Sequence, residues 1–318
     1  MQRRHFLTSA LAAGIAAHIG RVPDPAHASG SGTSEQIPRR EYRDGIQLSV
    51  IGFGGIVLLG QGQKEADETV AEVYHEGVNY FDVAPAYGDG EAEEKLGPAL
   101  RPYREKVFLA CKTGRRDARG AREELERSLK RLKTDHIDLY QFHAVTTGDD
   151  VNKIFAKGGA LETFVRALEA GKIRYIGFSA HTEEAALALM DGFEFDSVLF
   201  PVNFVCFAEG NFGPKVLQRA KEKGIARLAL KAMAYTPWPE GGEHTSPKCW
   251  YRPIEDRELA SRALRFTLSQ DVTAAIPPGD ERLFRVARDA ARAFTPMTKE
   301  EQAEMLSRAK GLSPLFKS

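Results

Sequence analysis

VFLACKTGRRDARGAREELERSLKRLKTDHIDLYQFH, residues 107–143, reads as strand, helix and strand in one sweep. Val107 to Lys112 is a continuous apolar run that ends in a charge. Ala121 to Leu132 sets Leu125, Leu129 and Leu132 on one helical face. Ile137 to His143 is apolar again and ends in an imidazole.

The alternation continues outward on both sides. Upstream, an Asp44–Gly45 turn signal precedes a short strand at Val50–Phe53. A helix from Glu65 to Glu76, stopped by Gly77, leads to a strand at Asn79–Asp82 and a helix from Glu91 to Leu100. Downstream, strands are expected at Ile173–Ser179, Ser197–Asn203, Ala226–Met233 and Thr273–Pro277. Helices separate them, and one further helix, Lys299 to Lys310, closes the chain. Some eight strand–helix units imply parallel strands with right-handed crossovers. Two architectures satisfy that: a closed barrel and a doubly wound open sheet. The open sheet needs a glycine-rich phosphate turn after its first strand. Gly52–Phe53–Gly54–Gly55–Ile56 lacks the third glycine at the required spacing. The expected fold is therefore α/β: a single (β/α)8 TIM-type barrel with an extra C-terminal helix, over residues 38–318.

The 318 residues carry 44 basic and 44 acidic side chains, a balance that speaks against a nucleic-acid partner, which favours a basic face. Cys111, Cys206 and Cys249 are odd in number and match no metal spacing; Cys111 and Cys206, in apolar runs, read as small buried hydrophobes. The histidines beyond residue 28 show no ligand spacing either, so no metal is expected and a metal-assisted hydrolase is disfavoured.

The first residues stand apart. Arg3–Arg4, an Ala-rich apolar run from Phe6 to Ile19 and a small-x-small Ala26–His27–Ala28 follow one another in order. Residues 1–28 resemble a twin-arginine export signal, followed by a flexible tail over 29–37. The run is too short and too weakly apolar for stable membrane insertion, and the location it implies is periplasmic or otherwise extracytoplasmic.

Catalytic groups of such a barrel lie at the C-terminal ends of its strands. Those ends carry Asp82, with Tyr87 five residues on, then Lys112, then His143. Together they suit carbonyl chemistry. A carbonyl attacked by hydride becomes an alkoxide and needs a proton. A phenol near pKa ~10 is a poor donor at neutral pH unless a neighbouring ammonium stabilises the phenolate. A carboxylate keeps that ammonium charged, and an imidazole can orient the carbonyl oxygen. Tyr87 is thus the candidate general acid, Lys112 its tuner, Asp82 the partner of Lys112 and His143 the orienter.

Phe81–Asp82–Val83–Ala84–Pro85–Ala86–Tyr87–Gly88 resembles the F-D-T-A-x-x-Y-G segment of aldo-keto reductases. Ala110 to Gly114, Ile137 to His143 and Gly171 to Ser179 resemble three further segments of that family, in order. The resemblance spans roughly Ile51 to Ala293 and implies a TIM-type barrel without metal. It implies hydride transfer between a nicotinamide, NADP(H) rather than NAD(H), and a small-molecule aldehyde, ketone or alcohol.

The cofactor side departs from the family pattern. Ser179–Ala180 stands where a Ser-Asn pair holds the carboxamide, leaving Asn203 or His181 as substitutes. Met233 or Tyr235 would supply the stacking surface, Gly279 an open backbone for phosphate, and Arg282 the charge for a 2′-phosphate. Asp280 and Glu281 oppose that last role. The long loop carrying Trp238, Trp250 and Tyr251 is expected to wall an apolar substrate pocket, and Thr146 to Gly159 is a second loop. Export would require a nicotinamide bound tightly before translocation and a redox partner outside. The alternative reading is a non-catalytic barrel that senses nicotinamide state.

Overall fold

The computed structural model describes residues 36–318. The segment expected to be an export signal, and the expected tail up to residue 35, lie outside the described residues. Ile37, at the end of that tail, is already buried against the core.

Twelve strands are described: β1 (Arg39–Arg43), β2 (Ile46–Ser49), β3 (Phe53–Gly54), β4 (Tyr80–Asp82), β5 (Phe108–Thr113) and β6 (Ile137–Val145), then β7 (Ile173–Ala180), β8 (Ser197–Pro201), β9 (Ala226–Leu230), β10 (Ala234–Thr236), β11 (Arg252–Pro253) and β12 (Ala274–Ile276). Eight of them form one sheet in the order β12-β9-β8-β7-β6-β5-β4-β3, every pair parallel. A parallel bridge between Ile51 and Ala275 brings the two ends together. Gly52 donates to the Ala275 carbonyl at 2.9 Å, and Ala275 to that of Val50 at 2.9 Å. The sheet is thus the expected barrel, ringed by helices, with the expected extra helix at Lys299–Arg308.

Side chains two apart on a strand share a face. Tyr80, Ala110, Leu139, Leu199, Leu228 and Ala274 belong to one apolar cluster that fills the ring. Two residues further along the same faces come Asp82, Lys112, Gln141, Leu230 and Ile276. The filling is therefore apolar below and, on β4, β5 and β6, polar above.

The hairpin β1–β2 was legible only as its turn. Asp44 and Gly45 both have positive φ, 53° and 80°, as a two-residue type I′ turn requires. Tyr42 and Leu48 from this hairpin join the apolar filling, Tyr42 resting on Phe108 at 4.9 Å and on Tyr175 at 5.4 Å. They stopper the end of the ring from which the strands start. The Thr146–Gly159 loop is largely a helix, Gly148–Phe155, capped by the Thr147 hydroxyl. A helix at Phe204–Gly210 follows β8, its first turn capped by Asn203.

Candidate active site

Asp82 ends β4 and Lys112 sits one residue from the end of β5, and both are buried. The Lys112 ammonium forms an ion pair with Asp82 Oδ1 and donates to the Val83 carbonyl at 3.1 Å. It also lies 3.3 Å from the Tyr87 hydroxyl. The second Asp82 oxygen accepts from Gln141 Nε2 at 3.3 Å and from Tyr80 Oη at 3.4 Å. His143, on the polar end of β6, sets its ring edge-on to Tyr87, 82° between planes and 5.8 Å between centroids. The four residues that the sequence singled out as catalytic candidates stand together.

Their electrostatics follow from burial and from one another. Burial disfavours the charged form of Lys112, but Asp82, and then Tyr87, reverse that effect and hold the ammonium well above its ordinary range. Burial lifts the Tyr87 phenol above its ordinary value, and Lys112 pulls it only part of the way back. This qualifies the expectation from sequence that Lys112 alone makes the phenol acidic: desolvation of the phenolate outweighs it. Burial, then the Lys112 charge, takes His143 down to about 3, so its ring is neutral at physiological pH.

All four line one cavity of about 360 Å³, within the range of small-molecule sites. Its wall also includes Ile56, Ser179, His181, Leu230, Lys231 and Lys248. Trp250, Tyr251 and the Pro277–Gly279 turn complete the rim. Asp82 is the one carboxylate among these lining residues and it is already paired, whereas Lys231 and Lys248 add positive charge.

The remaining expected residues divide. Ser179 reaches the cavity, but its hydroxyl accepts from the Ala144 amide at 2.8 Å. That bond holds the turn after His143, where Ala144 has φ 51°. Gly279 lines the cavity for a packing reason: a Cβ there would meet the Ile56 side chain at 2.3 Å. Trp250 and Tyr251 are in the wall, Trp250 57% exposed.

Asn203, Tyr235, Trp238 and Arg282 are not brought to this wall. Asn203 Oδ1 caps the following helix through the Cys206 amide at 2.8 Å, and its Nδ2 is buried without a partner among the described residues. Tyr235 lies on β10 under the Arg252 guanidinium. Trp238 stacks on His244 at 4.6 Å and donates to the Cys249 carbonyl at 2.9 Å, so it braces the loop from within. Arg282 is exposed and its guanidinium is engaged by Asp280 at 3.2 Å. Asp280 is also the cap of the helix Glu281–Arg292, so the arginine expected to meet a 2′-phosphate is paired with the carboxylate expected to oppose it.

Lys231 and Lys248 were not singled out in the sequence. Lys231 follows the last residue of β9, and the rule that pointed to Lys112 points equally to it. Lys248 carries no such signal. It lies in the long loop and reaches the Val57 carbonyl at 2.8 Å. Among the described residues no group of three or more His, Cys, Asp or Glu could hold a metal, and no helix is long and apolar enough to cross a membrane.

Known proteins were compared with this chain. The aldo-keto reductase YhdN of Bacillus subtilis is 39% identical over 152 residues, 42% of this chain but only 44% of YhdN. The oxidoreductase YqkF of the same organism is 24% identical over 289 residues, 82% of this chain and 92% of YqkF. Among solved structures, the holo form of a Bacillus halodurans aldo-keto reductase superposes with a TM-score of 0.69, at 24% identity, over 88% of this chain and 99% of that one. One from Klebsiella pneumoniae, in complex with NADP and acetate, has a TM-score of 0.62 at 20% identity, over 86% and 94%. The sequence model of the aldo/keto reductase family matches residues 50–260, the stretch that builds most of the ring and all four of these clustered residues; the chain belongs to that family.

Proposed function

We propose that this protein is an NAD(P)H-dependent oxidoreductase that interconverts a small-molecule aldehyde or ketone and its alcohol. The observation that carries the reading is the Tyr87 hydroxyl 3.3 Å from a lysine ammonium that a buried carboxylate keeps charged, in the wall of a cavity. A nicotinamide bound in the cavity supplies the hydride to the carbonyl carbon, or takes it from the alcohol.

The residues of the chain do the rest. As the carbon–oxygen π pair moves onto oxygen, that oxygen takes the Tyr87 proton. Lys112 stabilises the phenolate left behind, and Asp82 prevents Lys112 from losing its proton to that phenolate. The neutral His143 ring can donate one N–H to the carbonyl oxygen and so orient it. Because burial holds Tyr87 protonated, the acid is present at every physiological pH.

The cavity suits the nicotinamide end of a dinucleotide. Its wall offers lysines and no unpaired carboxylate, and the Pro277–Gly279 turn and Ile56 make an apolar edge. The phosphorylated form is the preferred cofactor in this proposal, supported by the NADP held in the Klebsiella structure. Mixing purified protein with NADPH and a panel of aldehydes and ketones, with NADH alongside, tests the reading. A Tyr87→Phe variant is expected to lose about 10²–10⁴-fold in kcat while its cofactor affinity, followed by fluorescence, stays within a few fold. Equal turnover by both forms would sink the assignment of Tyr87. Cofactor binding without turnover of any carbonyl would favour the sensing barrel instead.

We further propose export through the twin-arginine route, on the strength of Arg3–Arg4, the apolar run and Ala26–Ala28. Cofactor would then be loaded before translocation and regenerated by an external redox partner. Cell fractionation of the intact chain and of an Arg3→Lys, Arg4→Lys variant decides: equal cytoplasmic retention of both would refute it.

A further inference from the structure

Lys231 is the unexplained charge of the cavity. It has φ 68°, a left-handed conformation that a residue with a Cβ rarely adopts. Its side chain lines the cavity. The ammonium lies 4.7 Å from the centre of the Tyr251 ring and 5.2 Å from that of Trp250. Both rings meet it through their π faces, and no carboxylate or carbonyl among the described residues accepts a hydrogen bond from Lys231. Lys231 is partly buried, and a cation only partly reached by water and without an anion is under-compensated and normally finds a partner.

The surroundings are equally defined. Trp250 meets Phe316 at 6.1 Å, and Phe316 meets the His181 ring at 5.3 Å. His181 lines the cavity too and is taken down to about 4 by burial and by the Lys231 charge, so it is neutral and adds no competing cation. Burial, together with the like charge of Lys112, brings Lys231 itself to about 8; an anion docked on it would restore the lost stability. Lys248, by contrast, is already engaged by the Val57 carbonyl and stands 3.9 Å from Glu281.

We propose that Lys231 is the anchor for an anionic group on the substrate: the carbonyl compounds taken here carry a carboxylate, which docks on the ammonium while a flat or apolar body lies along Trp250 and Phe316. This rests on the reductase reading and names the substrate class of the same site.

The test compares kcat/KM for para-carboxybenzaldehyde and para-tolualdehyde, matched in shape and differing in charge, in the wild type, Lys231→Met and Lys231→Arg. The wild type should prefer the carboxylated member. The Met variant should lower that preference by about 10–100-fold, mainly through KM, and the Arg variant should keep much of it. No wild-type preference, or an equal loss on both substrates, overturns the proposal. So does an unchanged preference accompanied by a tenfold weaker NADPH affinity, which would make Lys231 a cofactor anchor. If no aldehyde is turned over, the reductase reading fails by itself. Calorimetric titration with benzoate then still judges the anion site: binding by the wild type that Lys231→Met abolishes upholds it, and no binding overturns it.

Discussion

Asp82 shows how a single side chain can hold several others in place. One oxygen meets Lys112 and the other accepts from Tyr80 and Gln141, all of them buried. A buried pair gains little net stability, yet removing one partner strands the other. Asp82→Asn should therefore cost about 3–5 kcal/mol in urea denaturation, and adding Lys112→Met should recover part of it. A loss under 1 kcal/mol would mean that water reaches Lys112. At this scale the sequence was legible where chemistry ends a strand: Asp82, Lys112 and His143 each follow an apolar run. It was less legible where a residue has two plausible employments. Asn203, Ser179 and Gly279 look alike in sequence, but in space Asn203 caps a helix away from the cavity, whereas Ser179 and Gly279 reach its wall while also holding a turn and making room for Ile56. Lys231, directly after the end of β9, is legible by the same strand-end rule.

Between elements, two helices approach closely at Gly97. It lies in the helix Glu91–Leu100 where that helix meets the end of the helix Ala118–Leu132. A Cβ at Gly97 would come within 2.6 Å of backbone atoms of Arg131 and Leu132, which cannot rotate aside. Gly97→Ala should separate the helices and destabilise by about 1–3 kcal/mol, despite alanine's better helix propensity. Stabilisation in thermal unfolding would show that the helices yield freely. Apolar periodicity revealed the long helices and the strands of the ring. It concealed the β1–β2 hairpin, whose first strand is almost all charged and whose second is only four residues long, and the short helix Gly148–Phe155, whose polar start reads as loop.

For the whole molecule, acid should loosen the fold through two histidines. Burial takes His143 to about 3 and His181 to about 4, both below the ordinary value of 6.5. The unfolded chain binds these protons near 6.5, while the folded chain refuses them until lower pH. Stability is thus fully present above about 6.5 and drains away as pH falls toward 4. Midpoints of thermal unfolding across that window should decline, less steeply in His181→Gln; identical slopes would place His181 in water. Closure of the ring was legible as a count of about eight units, and the absent third glycine turned the choice away from the open sheet.

The stopper formed by Tyr42 and Leu48 has a kinetic corollary. With the ring packed solid beneath Asp82 and Lys112 and plugged at its far end, the reaction chamber is a cul-de-sac. Whatever settles deepest must arrive first and depart last. Traffic is therefore sequential by geometry, and the shallower reactant and its product compete for the same doorway.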